Sequence, residues 1–111
     1  MATARFIHDG NSIDYTPGAN VSAGDVVVQN DLVGIAKVDI VAGKLGALAV
    51  TGVFDVPKAT GAGTAIAAGA KVYWNAGASQ ATTTATGNKY LGKTVRDASD
   101  DDALARVRLE Q

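Results

Sequence analysis

The sequence predicts a single all-β domain over residues 1–111, a small barrel or sandwich of short strands with an internal repeat and at most one short helix. Short segments rich in Val, Ile, Tyr and Thr alternate with clusters of Gly, Asn and Asp, which is typical of strands joined by tight turns. One order of small, turn-forming and β-branched residues also occurs twice along the chain. A length of 111 residues is that of one domain.

The first predicted element is an N-terminal hairpin over residues 1–18. Two short strand-like segments, 6–8 and 12–15, lie on either side of the Asp-Gly-Asn tripeptide at 9–11. Because Gly and Asn tolerate positive φ, this tripeptide favours a hairpin turn. The Pro-Gly pair at 17–18 predicts a second turn, since Pro fixes φ and Gly supplies the left-handed conformation.

The following elements form two repeat-like halves, about 21–56 and 66–109. Each half begins with an apolar residue, two small residues and a turn glycine that precede a strand. Gly34 and Gly92 occupy matching places, and we expect each to mark the start of a strand together with a bulge or a close backbone approach. The matching segments are 21–28 with 66–73, 32–38 with 90–95, and 47–50 with 103–107. Two copies of one strand unit predict pseudo-twofold character and covered edge strands.

The last element is a strand over residues 103–109. Ala and branched aliphatic residues alternate there with Leu and Arg, so we expect one face of this strand to be buried. The only helix candidate is the segment 61–68, where small residues are common but glycine weakens any helix.

The segment 87–94 matches the phosphate-binding P-loop pattern, and ATP binding through Lys93 and Thr94 is therefore one alternative function. A P-loop requires a buried strand before it and a helix after it. The preceding residues 80–86 are polar and lack large aliphatic side chains, and the following residues 95–102 are rich in turn formers. We therefore interpret the segment as a turn that enters a strand, and expect Lys93 to project from that strand.

Two other polar groups invite a chemical interpretation. His8 is the one histidine and adjoins Asp9, but no nucleophile motif accompanies them, and we interpret His8 as an ordinary strand or turn residue. Asp97 and the run 100–102 supply oxygen ligands of the kind that calcium prefers. Their spacing is not that of a known calcium loop, which favours a solvated turn.

Phe54, Tyr73 and Trp74 are three of the six large aromatic residues. They could stack on nucleic-acid bases, but basic residues are not interleaved with them. A place in the core or at a subunit interface is the favoured interpretation, because aromatic side chains dominate buried contact area. The sequence thus predicts no catalytic, cofactor-binding or metal-binding residue, and a protein that is not an enzyme.

Composition narrows the environment and the partners. Ten basic and eleven acidic residues give a formal charge of −1 without a long basic stripe, so nucleic acid is not an expected partner. The absence of cysteine fits assembly in a reducing cytoplasm. The N-terminus has no signal-like apolar core and no apolar run reaches membrane-spanning length, so we expect a soluble protein without a membrane partner. Much of the 47% apolar content is alanine, which predicts a modest core supported by oligomerisation.

The order of several short motifs resembles a family of small phage and prophage capsid cement, or head decoration, proteins. The motifs are Val-x-Ala-Gly-Asp-Val-Val-Val at 21–28, Leu-Val-Gly-Ile-Ala at 32–36, Gly-x-Leu-Gly-x-Leu at 43–48, Gly-Val-Phe-Asp-Val-Pro-Lys at 52–58, Gly-x-x-Val-Tyr-Trp-Asn at 69–75 and Leu-Gly-Lys-Thr at 91–94. Some members carry a recombinase label of the RecA/RadA type, which the P-loop-like letters at 87–94 would favour.

The resemblance implies a β-rich, non-enzymatic homotrimer that needs no cofactor. Such a protein is made in the host cytoplasm, binds the outside of an assembled head and clamps neighbouring copies of the major capsid protein. The loop 82–88 and the N-terminal hairpin are the expected contact segments, because loops on a rigid scaffold usually carry binding. Two alternatives are a head-fibre or tail-associated host-binding protein, and an ATP-binding recombination factor that uses the segment 87–94.

Overall fold

The structure, a computed structural model, describes residues 3–111 and consists of nine β-strands in two antiparallel sheets. No helix is present among these residues. The strands are β1 (Ser12–Tyr15), β2 (Val26–Gln29), β3 (Leu32–Ile35), β4 (Gly46–Ala49), β5 (Val53–Pro57), β6 (Lys71–Asn75), β7 (Gln80–Thr82), β8 (Lys89–Thr94) and β9 (Leu104–Leu109). The predicted all-β class is confirmed.

The two sheets form a sandwich-like arrangement and not a closed barrel. The first sheet has the order β1-β4-β3-β2, and the second has the order β5-β9-β8-β6-β7. The second sheet bends until Lys58, just after β5, meets Ala81 of β7 in one isolated parallel bridge. A single bridge does not continue the ladder of hydrogen bonds, so of the two predicted architectures the sandwich is the one that forms.

The internal repeat is confirmed, because the two sheets share one topology. Residues 12–50, here called unit one, contain β1 to β4, and residues 53–109, called unit two, contain β5 to β9. With β5, β6, β8 and β9 taken as the four strands of unit two, the first strand of each unit pairs with the last, the last with the third, and the third with the second. Unit two has one additional strand, β7, which follows β6 in the chain and pairs with it at the edge of the sheet.

Hydrogen bonds in the turns are duplicated as well. Val21 and Ile40 exchange two backbone hydrogen bonds of 2.9 and 2.8 Å, and Ile66 and Ala98 exchange two of 2.9 and 2.8 Å at the matching place in unit two. Two further pairs of bonds follow the same correspondence: Gly24 N to Ala36 O and Gly69 N to Thr94 O, and Ala23 N to Asp39 Oδ1 and Ala68 N to Asp97 Oδ1. The small residues and turn glycine common to both halves thus build the same local structure twice.

The unit boundaries differ from the predicted halves 21–56 and 66–109. Strand β1 belongs to unit one, and β5 belongs to unit two because it pairs with β9 along its whole length. Neither β1 nor β5 follows the turn motif that revealed the copies in the sequence. Their equivalence exists only in long-range strand pairing.

The predicted N-terminal hairpin is wrong for the described part of residues 1–18. Gly10 does adopt a positive φ of 73°, but residues 6–8 form no strand. Strand β1 pairs instead with β4, which places Ile13 opposite the buried Leu48. Burial of an apolar pair across two distant strands outweighs the local turn preference. Residues 1–2 of the predicted hairpin lie outside the described residues.

The helix candidate at 61–68 is also wrong. Gly61 and Gly63 adopt φ values of 110° and 82°, which a right-handed helix cannot contain. The N–H groups of Thr64 and Ala65 donate to Oδ1 of Asp100 at 3.0 and 2.8 Å, so this segment is a side-chain-capped turn.

Two apolar clusters stabilise the fold. A small cluster around Ala36, Ile40 and Leu48 belongs to unit one alone. The larger cluster joins the units: Val33 and Ile35 from unit one share it with Val72, Trp74, Leu91, Val107 and Leu109 from unit two. The predicted alternation of the last strand is confirmed for Ala105, Val107 and Leu109, which are buried, whereas Ala103 is exposed.

Gly34 and Gly92 lie inside β3 and β8, and not at the strand starts as predicted. The predicted close approach is confirmed at both. A Cβ on Gly34 would lie 2.8 Å from Cβ of Leu48, and a Cβ on Gly92 would overlap the carbonyl oxygen of Arg108. The pairing of β6 with β8 also shifts register next to Gly92, at the predicted bulge.

Candidate functional site

The P-loop-like segment forms a turn followed by a strand, as predicted. Gly87 adopts a φ of 77° in the turn, and Lys93 lies in β8 with about half of its side chain exposed. Thr94 is buried: its Oγ1 donates to the carbonyl of Ala67 at 2.7 Å and accepts from the N–H of Ala70 at 3.1 Å. Without a helix N-terminus after the glycine turn, the segment lacks the anion-binding geometry that ATP binding requires.

His8 is an exposed residue of the turn that precedes β1, as expected. Its Nδ1 accepts a hydrogen bond from the N–H of Gly10 at 3.0 Å, and Asp9 is exposed beside it. The imidazole therefore caps a local turn.

Three of the four aspartates at 97 and 100–102 fasten turns to their neighbours. Side-chain oxygens of Asp97, Asp100 and Asp102 each accept backbone N–H groups, which is the usual role of aspartate in tight turns. Within residues 3–111 no group of three or more His, Cys, Asp or Glu side chains is placed to hold a metal ion. The donors are Ala68 for Asp97, Thr64 and Ala65 for Asp100, and Ser99 for Asp102, at 2.8 to 3.0 Å.

Lys58 holds the same region from the inside, a role that no sequence pattern indicates. The residue is only 4% exposed, and its Nζ donates to the carbonyls of Ala59, Ser99 and Asp102 at 2.8, 2.9 and 2.8 Å. Three carbonyl acceptors replace the water that a lysine ammonium normally keeps. Lysine is so commonly exposed that sequence alone predicts a surface position.

The aromatic residues divide between the core and the surface of unit two. Trp74 is 6% exposed in the larger cluster, and Phe54 packs against that cluster. The rings of Tyr73 and Tyr90 meet edge to face with centroids 5.6 Å apart. Tyr90 donates its hydroxyl proton to Glu110 Oε1 at 2.7 Å, and burial together with this hydrogen bond raises the pKa of Tyr90 to about 12.

One row of cations crosses the outer face of unit two, and we call Lys71, Lys93 and Arg108 the basic row. Lys71 lies opposite Lys93 in the β6–β8 pairing, and Lys93 lies opposite Arg108 in the β8–β9 pairing. All three residues are exposed. Glu110 is the nearest anion, with its carboxylate oxygens 3.8 Å from Lys93 Nζ and 3.9 Å from Arg108 Nη1.

The carboxylate of Glu110 is tuned by this environment. The hydrogen bond from Tyr90 lowers the pKa of Glu110 first, and the charges of Lys93, Arg108 and Lys71 lower it further. A single carboxylate therefore balances part of three positive charges. A fourth cation, Arg106, lies in β9 with Arg108. It forms a separate ion pair with Asp55, in which Nε and Nη2 donate to the two carboxylate oxygens at 2.9 and 3.1 Å.

Unit one shows what the same row looks like when it faces the core. In unit one the row runs Ser12, Ala49, Ile35, Val26, and in unit two it runs Val53, Arg108, Lys93, Lys71. Ile35 and Ala49 are each 3% exposed, and Ile35 belongs to the cluster between the units. The fold thus accepts apolar residues at these positions and carries cations only in the unit whose face is open.

Two further segments present unpartnered side chains. Residues 3–10 precede β1, and Phe6 and Ile7 there are 78% and 69% exposed. The loop between β7 and β8 is exposed over residues 83–87, and Asn88 closes it by donating from Nδ2 to the carbonyl of Thr84 at 2.9 Å. Both were predicted as contact segments and both are open to a partner.

With the geometry in place, comparison with known families gives the assignment. The family model of the phage cement proteins matches residues 7–109. The chain belongs to this family. Its membership confirms the resemblance inferred from the motif order and associates the chain with the phage capsid in a structural role.

Other comparisons add little to this assignment. A search of curated proteins and a search of solved structures each gave no match. No described helix is long and apolar enough to cross a membrane. A structural role in the capsid fits a protein that is not an enzyme.

Proposed function

We propose that this protein binds the outer surface of an assembled phage capsid and stabilises the shell by linking neighbouring copies of the major capsid protein. The observation that carries the proposal is the family match over residues 7–109, which covers both units and part of the segment before β1. The proposed role is non-enzymatic and involves no cofactor, nucleic acid or membrane. The protein is made in the host cytoplasm and ends on the virion.

A homotrimer is the proposed form of the bound protein. The described surface includes eight large apolar side chains that are exposed to water. Two of them, Leu45 and Leu104, directly precede the paired residues Gly46 and Ala105 at corresponding places in the two units. Burial between copies would remove such side chains from water, and three linked copies would strengthen weak contacts to a repeating lattice by multivalency.

Residues 3–10 and the loop 82–88, which begins at the last residue of β7, are the proposed contact segments. Phe6 and Ile7 supply apolar area, and the loop supplies hydroxyl and backbone groups on a scaffold that both sheets hold rigid. Loss of either segment should weaken attachment without unfolding the units, because neither contributes to the apolar clusters.

The direct test uses capsid shells assembled without this protein. Purified protein should co-sediment with the shells and raise the temperature at which they lose integrity, measured by light scattering and electron microscopy. Its mass in solution should be three times that of the chain. Shells that neither retain the protein nor gain heat resistance would contradict the proposal.

A further inference from the structure

We propose that the basic row of unit two docks onto a carboxylate-rich surface of a partner protein, which under the proposed function is the capsid shell protein. The inference rests on that function but names a site and a chemistry within it. It begins from the pairing of three cations across three neighbouring strands, Lys71, Lys93 and Arg108.

Such a row does not serve the stability of the isolated fold. Like charges directly opposite each other on neighbouring antiparallel strands repel and destabilise the sheet. The same positions in unit one hold Val26, Ile35 and Ala49, so the strand geometry does not demand charge there. The exposed cations at these positions are therefore available to a partner outside the chain.

The charge that the chain itself supplies leaves the row largely unmatched. Glu110 lies 3.8 Å from Lys93 and 3.9 Å from Arg108, beyond hydrogen-bonding distance, and its Oε1 accepts the hydroxyl proton of Tyr90. Lys71 takes part in no salt bridge among residues 3–111. The face remains positive although the whole chain carries a formal charge of −1.

The residues around the row favour a protein partner over nucleic acid. Val53 continues the row beyond Arg108 and is 54% exposed. Tyr73 and Tyr90 lie next to the row on β6 and β8. Arginine and tyrosine beside apolar area are typical of protein interfaces. Glu110 and Asp55 on the same face would repel a phosphate backbone, whereas a protein surface can place its carboxylates between them.

The test compares two matched double variants, Lys71→Gln/Lys93→Gln in the basic row and Lys37→Gln/Lys44→Gln at exposed positions of the segment between β3 and β4. Both remove the same charge. The first should lower affinity for shells assembled without this protein about tenfold, equivalent to about 1.4 kcal/mol. Its urea midpoint should stay equal to the wild-type value or rise, because repulsion between the lysines is relieved. The control should bind like wild type.

Salt gives a second arm of the same experiment. Raising the salt from 0.1 M, where the screening length is about 10 Å, should weaken wild-type attachment more than that of Lys71→Gln/Lys93→Gln. Wild type that fails to bind shells would contradict the proposed function itself. Wild type that binds while both variants bind equally well or equally poorly would overturn only the inference.

Two further outcomes would also overturn it. If Lys71→Gln/Lys93→Gln separates an oligomer into single chains, the row is an interface between copies. If it loses retention of a duplex DNA oligonucleotide while shell binding is unchanged, the row binds phosphate. Light scattering and filter binding on the same preparations distinguish these results from the expected one.

Discussion

Unit one and unit two share one strand order apart from β7, but the equivalent faces of their sheets differ in burial. In unit one the row through Ile35 is uncharged, and its Val26 and Ile35 pack against unit two, whereas in unit two the row through Lys93 is charged and faces outward. Topology and turn hydrogen bonds are the same in both. A duplicated fold can therefore use a sheet face of one unit to join the two units and leave the equivalent face of the other unit exposed.

The largest expected effect comes from exchanging residues between the two rows. Ile35→Lys should lower the free energy of unfolding by more than about 3 kcal/mol, because it removes apolar burial and places an ammonium in the core. Lys93→Ile should change stability by only about 0.5 kcal/mol or less while promoting self-association. Urea unfolding and light scattering measure the two quantities. Equal losses of stability in both variants would show that the two faces do not differ in burial.

The two strand glycines make a second matched pair. Gly92→Ala should cost more than about 3 kcal/mol because the new methyl group meets the backbone carbonyl of Arg108, which cannot rotate away. Gly34→Ala should cost about 1–3 kcal/mol because its neighbour is the side chain of Leu48. Gly18→Ala is the control, since no heavy atom lies within 4 Å of its added Cβ. The reverse order of the first two losses would argue against the closer approach in unit two.

Lys58 tests a difference of intermediate size. Val56 pairs with Ala105 as Tyr15 pairs with Gly46, so Lys58, two residues after Val56, corresponds to the buried Pro17, two residues after Tyr15. Lys58→Met should destabilise by about 1–3 kcal/mol because three carbonyls lose a charged donor. Lys37→Met, at an exposed site, serves as its control in the same urea titrations. Equal midpoints would mean that water replaces the ammonium without cost.

The smallest predicted effect depends on pH. The pKa of Tyr90 is raised from 10.0 to about 12, so the folded chain holds this proton more tightly than the unfolded chain. The resulting contribution to stability is complete below pH 10 and is lost as the pH rises toward 12. Tyr90→Phe should reduce this pH dependence of the unfolding midpoint. Tyr73→Phe should reduce it much less, because Tyr73 is the smallest of the causes that raise the pKa of Tyr90. A dependence that survives in Tyr90→Phe would assign it to another group.

Local sequence patterns correctly predicted part of the fold. The turn glycines Gly24 and Gly69 with their small neighbours indicated the repeat. The residues on either side of 87–94 indicated a turn and a strand, although the segment itself matches the P-loop pattern. The hairpin at 1–18 failed because β1 prefers a distant partner, which no local turn signal reports. The helix at 61–68 failed because its glycines adopt positive φ.

The basic row was not predicted from the sequence for a related reason. Lys71, Lys93 and Arg108 are widely separated in the chain, and only the register of three strands brings them into one row. The sequence shows no run of basic residues at these positions, because the row crosses three strands and does not follow one strand. The buried Lys58 likewise depends on two loops meeting, at Ala59 and at Ser99 to Asp102.

The most direct test is a cryo-electron microscopy map of shells decorated with this protein. We expect the outer face of unit two to lie against the shell, with Lys71, Lys93 and Arg108 within salt-bridge distance of shell carboxylates. A map in which this face points to solvent, or in which unit one's strands make the shell contact instead, would contradict it.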